Sequence, residues 1–176
     1  MKTIYECSHS KAVKWMTVVF VAVTIAAIAT EVWYVSMGVN HVSAIVIIIV
    51  LLLALLSCFF LYPQYIIATD EGIGIHTLLR TIRISYEQID RIERAPENFM
   101  SNTNTLRLFG IGGVLGFIGF FKTKGIGTYR SFVTDKTKAF LIYRTKGLPV
   151  AISVSEPDEF MPYYLKGRTK DEPLKA

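Results

Sequence analysis

Apolar residues are spread unevenly along the chain, and their spacing changes near residue 63. Two continuous apolar runs fill the first third. Ala12–Tyr34 contains only Lys14 and Glu31 as charged residues, and His41–Tyr62 contains no Asp, Glu, Lys or Arg. A helix of about 20 residues rises about 30 Å, which matches the hydrocarbon core of a bilayer. The pattern therefore predicts two transmembrane helices, at about 12–34 and 41–62.

The lysines predict the orientation of these helices. Lys2, Lys11 and Lys14 precede the first run, whereas the connection at 36–40 has no basic residue. The positive-inside rule then leaves the N-terminus in the cytoplasm, and the second helix returns the chain to the same side. We expect a multi-pass protein of the inner (cytoplasmic) membrane, with residues 1–62 forming the N-terminal tail and both helices.

A cleaved signal peptide is the alternative explanation of the first run. Ala27-Ile28-Ala29 has the small-x-small form of a cleavage site. The leader before the apolar run is long, however, and it contains Glu6. We therefore expect the first helix to be retained.

Short alternating runs replace the long apolar ones after residue 63. The segments YIIAT, IGIHTLL, TIRISY, TYRSFVT, AFLIYR and VAISV have the composition and alternation of strands. Seven or so short strands predict a small antiparallel barrel or sandwich over 63–168. Ser155 and Asp158 have the spacing of a capping box, which predicts a C-terminal helix that Pro162 shortens or kinks. A disordered tail is expected over 169–176.

The residues that carry chemistry are few and scattered. His9, His41 and His76 have no second metal ligand at a useful spacing, so no metal site is predicted. Cys7 and Cys58 form neither a disulfide framework nor a metal motif. Because nucleophile elbows and zinc-protease motifs are also missing, we expect a non-catalytic protein without a cofactor.

One stretch, LFGIGGVLGFIGFF (108–121), is built only from apolar residues and glycine. It lacks the third glycine of a dinucleotide fingerprint and the Gly-Lys-Ser/Thr ending of a P-loop. As a helix it would be only about 21 Å long, too short to span a bilayer, and each glycine would cost up to about 1 kcal/mol. We predict a flexible β-loop or a bulged strand region, in which Gly110, Gly112, Gly113, Gly116 and Gly119 permit positive φ and sharp bends.

The apolar side chains of this stretch have three possible destinations. They complete the core of the barrel, they meet the bilayer surface or the transmembrane hairpin, or they form a protein-binding or self-association surface. Residues 106–146 carry eight basic residues against one acidic residue, which favours an anionic partner. A basic segment beside an apolar loop fits a membrane better than a nucleic acid.

These observations predict a lipid-contact site and leave one rival. In the lipid version, Lys122, Lys124 and Arg130 contact head-group phosphates. The aromatic side chains that insert into the membrane are Phe117, Phe120 and Phe121. The rival is a protein-interaction or self-assembly module, in which an unidentified protein or a second copy of the chain is the partner.

The second half of the chain also resembles a known family. An R-x-F-G segment with clustered glycines leads to TYRSFVTD, and an apolar strand, a turn and ISVSEPDEF follow. This arrangement resembles the bacterial pleckstrin-homology-like (PH-like) family over about 63–165. The matching residues are Arg107, Phe109, Gly110, Gly113, Gly116, Gly119, Gly127, Thr134, Asp135, Ile152, Ser153, Pro157 and Phe160. The resemblance implies a seven-stranded, partly open antiparallel barrel capped by a C-terminal helix, with no known catalytic activity.

Overall fold

The structure is a computed structural model, and it describes residues 3–8, 10–38, 41–96, 99–101 and 103–161. The predicted tail at 169–176 and the predicted kink at Pro162 lie outside these residues. The described chain contains two long helices near its start, followed by a β-rich domain that ends in a helical segment at 157–161.

The first third of the chain contributes one strand and two helices. Strand β1 (Thr3–Glu6) precedes helix α1 (Lys11–Ser36), which is followed by helix α2 (His41–Leu61). Both helices lie close to the predicted bounds. Helix α1 begins at an N-cap, where the Ser10 hydroxyl accepts a hydrogen bond from the Val13 N–H at 3.2 Å. Within the described residues, α1 is the helix that is long and apolar enough to cross a membrane.

Nine strands follow the helices, and with β1 they form two sheets. The first sheet contains β1, β2 (Pro63–Ala68), β3 (Gly72–Thr77) and β4 (Thr81–Ser85), in that order. The second contains β5 (Ile89–Arg94), β6 (Thr105–Gly112), β7 (Phe117–Thr123), β8 (Gly127–Val133), β9 (Ala139–Arg144) and β10 (Val150–Ser153). Its spatial order is β5-β9-β10-β8-β7-β6. Short 3₁₀ turns at Tyr86–Gln88 and Lys136–Lys138 precede β5 and β9.

Ten strands in the described part of the chain differ from the seven that the sequence predicts. Strands β1, β6 and β7 were not predicted, and β5 lies where the sequence indicates a helical turn in YEQIDRI before the chain extends again. Strand β1 is only four residues long and lies beside a long apolar run, so its alternation is easily overlooked. In β6 and β7, glycines and bulky apolar residues hide the alternation on which strand prediction depends.

The main core lies between the two sheets. Ile66, Ile75 and Ile84 of the first sheet face inward, and the cluster continues with Phe132 and Ile142 of the second. These positions alternate with outward-facing residues along each strand, because successive side chains of a strand point to opposite faces. A smaller cluster on the other face of the second sheet contains Tyr129, Phe121, Leu141, Phe99 and Met100.

Both long helices join the same end of the first sheet. Glu6, the last residue of β1, pairs with Tyr65 of β2, and Pro63 at the start of β2 pairs with Thr77 of β3. The turn between β3 and β4, residues 78–80, therefore lies beside the point where α2 enters the domain. We call this end of the domain the helix end.

Candidate membrane-facing site

The glycine-rich stretch forms a β-hairpin, where the sequence predicts a flexible loop. Strands β6 and β7 pair antiparallel from Thr105 opposite Thr123 to Gly112 opposite Phe117. A four-residue turn at 113–116 joins them, and the Gly113 N–H donates to the Gly116 carbonyl at 2.8 Å. Most of the stretch is thus fixed by a hydrogen-bonded ladder, with β6 at the edge of the second sheet.

Two of the five glycines allow the strands of this hairpin to approach each other closely. Gly110 and Gly119 face each other across the ladder, with φ values of 118° and 133°. A Cβ on either residue would overlap the backbone of the opposite strand. The structure therefore explains these glycines by local geometry and close contact.

The tip of the hairpin packs against the first turns of α1. The Leu115 N–H donates to the Thr17 hydroxyl at 2.9 Å, and Gly113 lies against the thioether end of Met16. Thr17 is about 9 Å along the helix axis from Lys11 at the usual rise per residue. The tip therefore contacts α1 where its lysine-containing start gives way to its long apolar part.

A polar cluster holds the start of α1 to the end of β8. The Thr134 hydroxyl donates to the Ser8 carbonyl, and the Ser8 hydroxyl donates to Asp135 Oδ2 at 3.1 Å. The Ser153 hydroxyl accepts from the Thr134 N–H at 2.9 Å, and the Ser10 N–H donates to the Thr134 carbonyl at 3.4 Å. Sequence reasoning missed this cluster. The only signal for it is the Thr134-Asp135 pair within the family-like pattern.

Strand β1 and the residues after it are also built into the domain. Tyr5 packs edge-on against Phe160 with ring centroids 5.5 Å apart, and the Ser155 N–H donates to the Glu6 carbonyl. Cys7 is buried, and this burial raises the pKa of its thiol to about 12. A thiol with that pKa is unreactive at neutral pH, so Cys7 acts as a small apolar residue.

The three predicted head-group contacts do not lie together. Phe120 pairs with Arg130 across β7 and β8, and Lys122 lies two residues further along the same face. Lys124 lies in the turn between β7 and β8, two residues beyond Lys122 and outside the paired strands. Lys122 and Arg130 therefore share a surface from which Lys124 is separated.

Arg130 has an unusual environment for a cation. Its guanidinium lies 4.9 Å from the ring centroid of Phe132 and 5.8 Å from that of Phe120. Burial, followed by the positive charge of Arg80, lowers the pKa of Arg130. Arg80 belongs to the β3–β4 turn at the helix end, and sequence reasoning did not identify it.

The three predicted membrane-inserting aromatic residues are also divided. Phe121 is only 3% exposed and packs against Tyr129, so the core cluster holds it away from the surface. Phe117 is half-buried beneath the Lys136 ammonium, 4.2 Å from its ring centroid. Phe120 is 37% exposed, and Phe109, which was not among the predicted aromatic residues, is 73% exposed.

The described residues contain no group of three or more His, Cys, Asp or Glu side chains arranged to hold a metal ion. The features that distinguish this surface are its cations, its exposed apolar side chains and its contact with α1. Such a surface suits a charged or amphipathic partner.

Replacing Thr17 with Val is expected to loosen the hairpin tip without unfolding the domain. The change removes the acceptor of the Leu115 N–H while preserving the shape of the side chain. The loss of one hydrogen bond of about 1 kcal/mol corresponds to about fivefold faster amide exchange at Leu115. Hydrogen exchange of the full chain in detergent measures this, with Thr30→Val as the control, since Thr30 bonds only within α1. Unchanged exchange at Leu115 would show that the contact is not formed in solution.

Comparison with known proteins gives a family for this domain. Neither the curated proteins nor the solved structures contain a significant match to the chain. The family described as "Bacterial PH domain" matches residues 64–167. This range covers β2 to β10 and the helical segment at 157–161, and it comprises more than half of the chain. The chain therefore belongs to the bacterial PH domain family.

Proposed function

We propose that α1 and α2 cross the inner membrane as a hairpin, with the N-terminus and the PH-like domain on the cytoplasmic side. Strand β1 precedes α1 and pairs with β2, which follows α2. If α1 crosses the bilayer, α2 must cross it again for these strands to meet. The apolar sequence of α2 and its 21-residue length support this return. The place of β1 in the sheet also supports retention of the first helix.

We further propose that the domain is a non-catalytic module that engages anionic lipid head groups at the membrane face. PH domains in general bind lipids or proteins and are not catalytic. The observation that carries the lipid proposal is the contact of the hairpin tip with α1. A domain docked on a spanning helix has its neighbouring cations close to lipid phosphates, and each such Lys or Arg contributes about 1 kcal/mol.

Two apolar residues at the surface, one exposed and one half-buried, fit the same proposal. Leu79 in the β3–β4 turn is 67% exposed and precedes Arg80. Leu115 lies at the hairpin tip beside Thr17. Apolar side chains next to cations are the composition of a surface that contacts the interfacial region of a bilayer. Because the chain is already anchored, lipid contact would orient the domain rather than recruit it.

A protein-interaction or self-assembly role is the second candidate, and it rests on a different observation. Strand β6 is an edge strand, and its Leu106, Leu108 and Phe109 are each at least half exposed. An apolar edge strand can pair with a strand of another chain. In this version the exposed edge, and not the cationic face, would be the functional surface.

Hydrogen exchange of the full chain in nanodiscs tests the lipid proposal. Residues 105–123 are expected to exchange more slowly in phosphatidylglycerol than in phosphatidylcholine. Lys122→Glu should reduce the ratio of exchange rates between the two lipids about fivefold, as expected for a charge contribution of about 1 kcal/mol. Lys124→Glu is the comparison, because Lys124 is also exposed but lies in the turn after β7, outside the strand face that Lys122 shares with Arg130.

Equal protection in the two lipids, or equal effects of the two charge reversals, would contradict the lipid proposal. Counting the chains in each nanodisc by native mass spectrometry adds the test of the alternative. More than one chain per disc, without dependence on the lipid, would favour self-assembly through β6. A single chain with lipid-dependent protection would favour lipid engagement.

A further inference from the structure

A small open cavity lies on the face of the second sheet that carries the smaller apolar cluster. Its volume is about 240 Å³, and it borders the edge strand β6. The residues that line it are Met100, Ser101, Thr105, Arg107, Gly112, Phe117 and Phe121. Arg107 pairs with Phe121, whereas Lys122 points to the opposite face of β7. The cavity is therefore separate from the surface that Lys122 shares with Arg130.

Gly112 allows the Arg107 side chain to lie beside this cavity. The φ of Gly112 is outside the left-handed region, so the backbone does not require glycine there. A Cβ at this position would lie only 3.3 Å from Arg107 Nη1 and 3.9 Å from Phe117 Cδ1. Although Arg107 is exposed, its guanidinium is thus folded back over β6 towards Phe117. Glycine at this position leaves room for the cation.

A second cation contacts the wall of the cavity. The Lys136 ammonium donates to the Met100 carbonyl at 2.6 Å and lies 4.2 Å from the ring centroid of Phe117. Within the ranges that the structure describes, neither Arg107 nor Lys136 has a carboxylate within ion-pair distance. Burial lowers the pKa of Lys136, because it disfavours the charged form. An anion in the cavity would stabilise that charged form and would give Arg107 a partner.

Two hydroxyl groups in the wall add neutral donors. The Ser101 carbonyl accepts the Thr105 N–H at 3.0 Å, which holds these two residues side by side. The Thr105 and Thr123 hydroxyls lie 2.8 Å apart, and the Thr123 hydroxyl lies 2.9 Å from that of Tyr129. Burial raises the pKa of Tyr129, so this phenol keeps its proton and can donate it to Thr123. If Thr123 then donates to Thr105, the Thr105 proton remains for an acceptor in the cavity.

The donors and the size of the cavity indicate the ligand class. The donors come from three segments, namely the turn before β6, strand β6 itself and the 3₁₀ turn after β8. Such an arrangement favours a ligand that accepts hydrogen bonds from several directions. A carboxylate offers two oxygens in one plane, whereas a phosphate monoester offers three strong acceptor oxygens and also matches a guanidinium. Sites for complete small molecules usually enclose about 300–1,000 Å³, so this smaller cavity suits the charged group of a ligand.

We propose that Arg107, Lys136, Ser101 and Thr105 form a binding site for a phosphate monoester, carried by a lipid or by a small soluble molecule. The two cations neutralise its charge, and the two hydroxyls donate to its remaining oxygens. The site goes beyond the proposed function, because it lies on the other face of β7 from Lys122 and does not require a lipid. It also assigns a role to Arg107, the first residue of the R-x-F-G segment.

Binding to the full chain in detergent tests the site with two probes, inorganic phosphate and short-chain phosphatidic acid. Radioactively labelled phosphate is measured by equilibrium dialysis, and bound phosphatidic acid is counted by native mass spectrometry. Phosphatidylglycerol of the same chain length is the comparison, since its phosphate is a diester. We expect phosphatidic acid to bind about tenfold more tightly than phosphatidylglycerol, the effect of one additional charge-assisted hydrogen bond.

Substitution of the two cations should weaken binding of both probes. Arg107→Gln and Lys136→Gln are each expected to reduce the affinity about tenfold. Arg83→Gln is the control for the first change, since Arg83 is an exposed arginine of β4 in the other sheet. Lys138→Gln is the control for the second, since Lys138 lies in the same 3₁₀ turn but donates to the Ser155 carbonyl at 2.8 Å. Both controls should bind as the wild type does, and thermal unfolding midpoints check that every variant folds.

Gly112→Ala tests the site without changing any charge. The added Cβ would crowd the Arg107 guanidinium and displace it, so binding should weaken, but less than in Arg107→Gln. Gly74→Ala is the control, because Gly74 also lacks a left-handed φ and a Cβ there meets no atom closer than 3.5 Å. This pair of variants keeps the test valid if a Gln variant does not fold.

The relative affinity of the two probes identifies the source of the phosphate. Tighter binding of phosphatidic acid would identify a lipid, and equal or tighter binding of inorganic phosphate would identify a soluble molecule. Either result supports the site if Arg107→Gln or Gly112→Ala weakens it. Wild-type affinity in both of these variants, binding of neither probe by the wild type, or equal affinity for phosphatidic acid and phosphatidylglycerol would overturn the site. The proposed function is tested separately, through the effect of Lys122→Glu on lipid-dependent protection.

Discussion

Replacing Gly119 with Ala is expected to destabilise the domain by about 2–6 kcal/mol, combining about 1–3 kcal/mol of backbone strain with about 1–3 kcal/mol of overpacking. Gly119 has a φ of 133°, which L-residues rarely adopt, and a Cβ there would overlap the Phe109 carbonyl. That carbonyl belongs to the facing backbone of β6, so it cannot move aside without disrupting the ladder. The thermal unfolding midpoint of the full chain in detergent measures the effect, at about 2–4 °C per kcal/mol.

Gly125→Ala is the matched control for this change. Gly125 also has a positive φ, 89°, but a Cβ there meets nothing within 4 Å. Only the conformational cost remains, about 1–2 kcal/mol for a left-handed residue. The difference between the two variants therefore isolates the close approach of β6 and β7. Equal shifts in the unfolding midpoint would show that the strands are not as close as the structure has them.

The glycine hairpin shows how far the sequence could predict the structure. The spacing of the glycines excluded a nucleotide-binding loop, the short length and the cost of glycine excluded a spanning helix, and a β-structure remained. Composition could not distinguish a flexible loop from a paired hairpin, because a glycine such as Gly119 serves both. The pairing depends on the opposite strand, which sequence periodicity does not show.

The choice of candidate site residues was limited for a related reason. Lys122, Arg130 and Phe120 were chosen because they are cationic or aromatic near the glycine stretch, and they share one face. Phe121 was chosen by the same rule, but the alternation of a strand turns it to the buried face. Arg80 lies far away in the sequence and on the other sheet, yet its charge helps to lower the pKa of Arg130 after the larger effect of burial. No local pattern in the sequence identifies such a neighbour.

Strand β1 gives the other large expected effect, because it joins helix α1 to the domain. Tyr5→Ala should lower the free energy of unfolding by about 3–5 kcal/mol, the usual cost of truncating a large buried aromatic residue. Tyr5 is 4% exposed, pairs with Ile66 and contacts the ring of Phe160. Chemical denaturation of the full chain in detergent measures the loss, and faster amide exchange in β2 should accompany it.

Ile4, the residue before Tyr5, provides the control both for the register of β1 and for the truncation of a large side chain. Ile4 pairs with Ile67 on the outer face of the sheet and is 56% exposed, so Ile4→Ala should cost less than about 1 kcal/mol. If Ile4→Ala proves the more damaging change, β1 is shifted by one residue, because such a shift exchanges the two faces. If neither change matters, β1 is not part of the sheet in solution. A large effect of Tyr5→Ala alone would establish that a segment before α1 completes the PH-like domain, so that α1 leaves the domain from a paired strand and not from a loose tail.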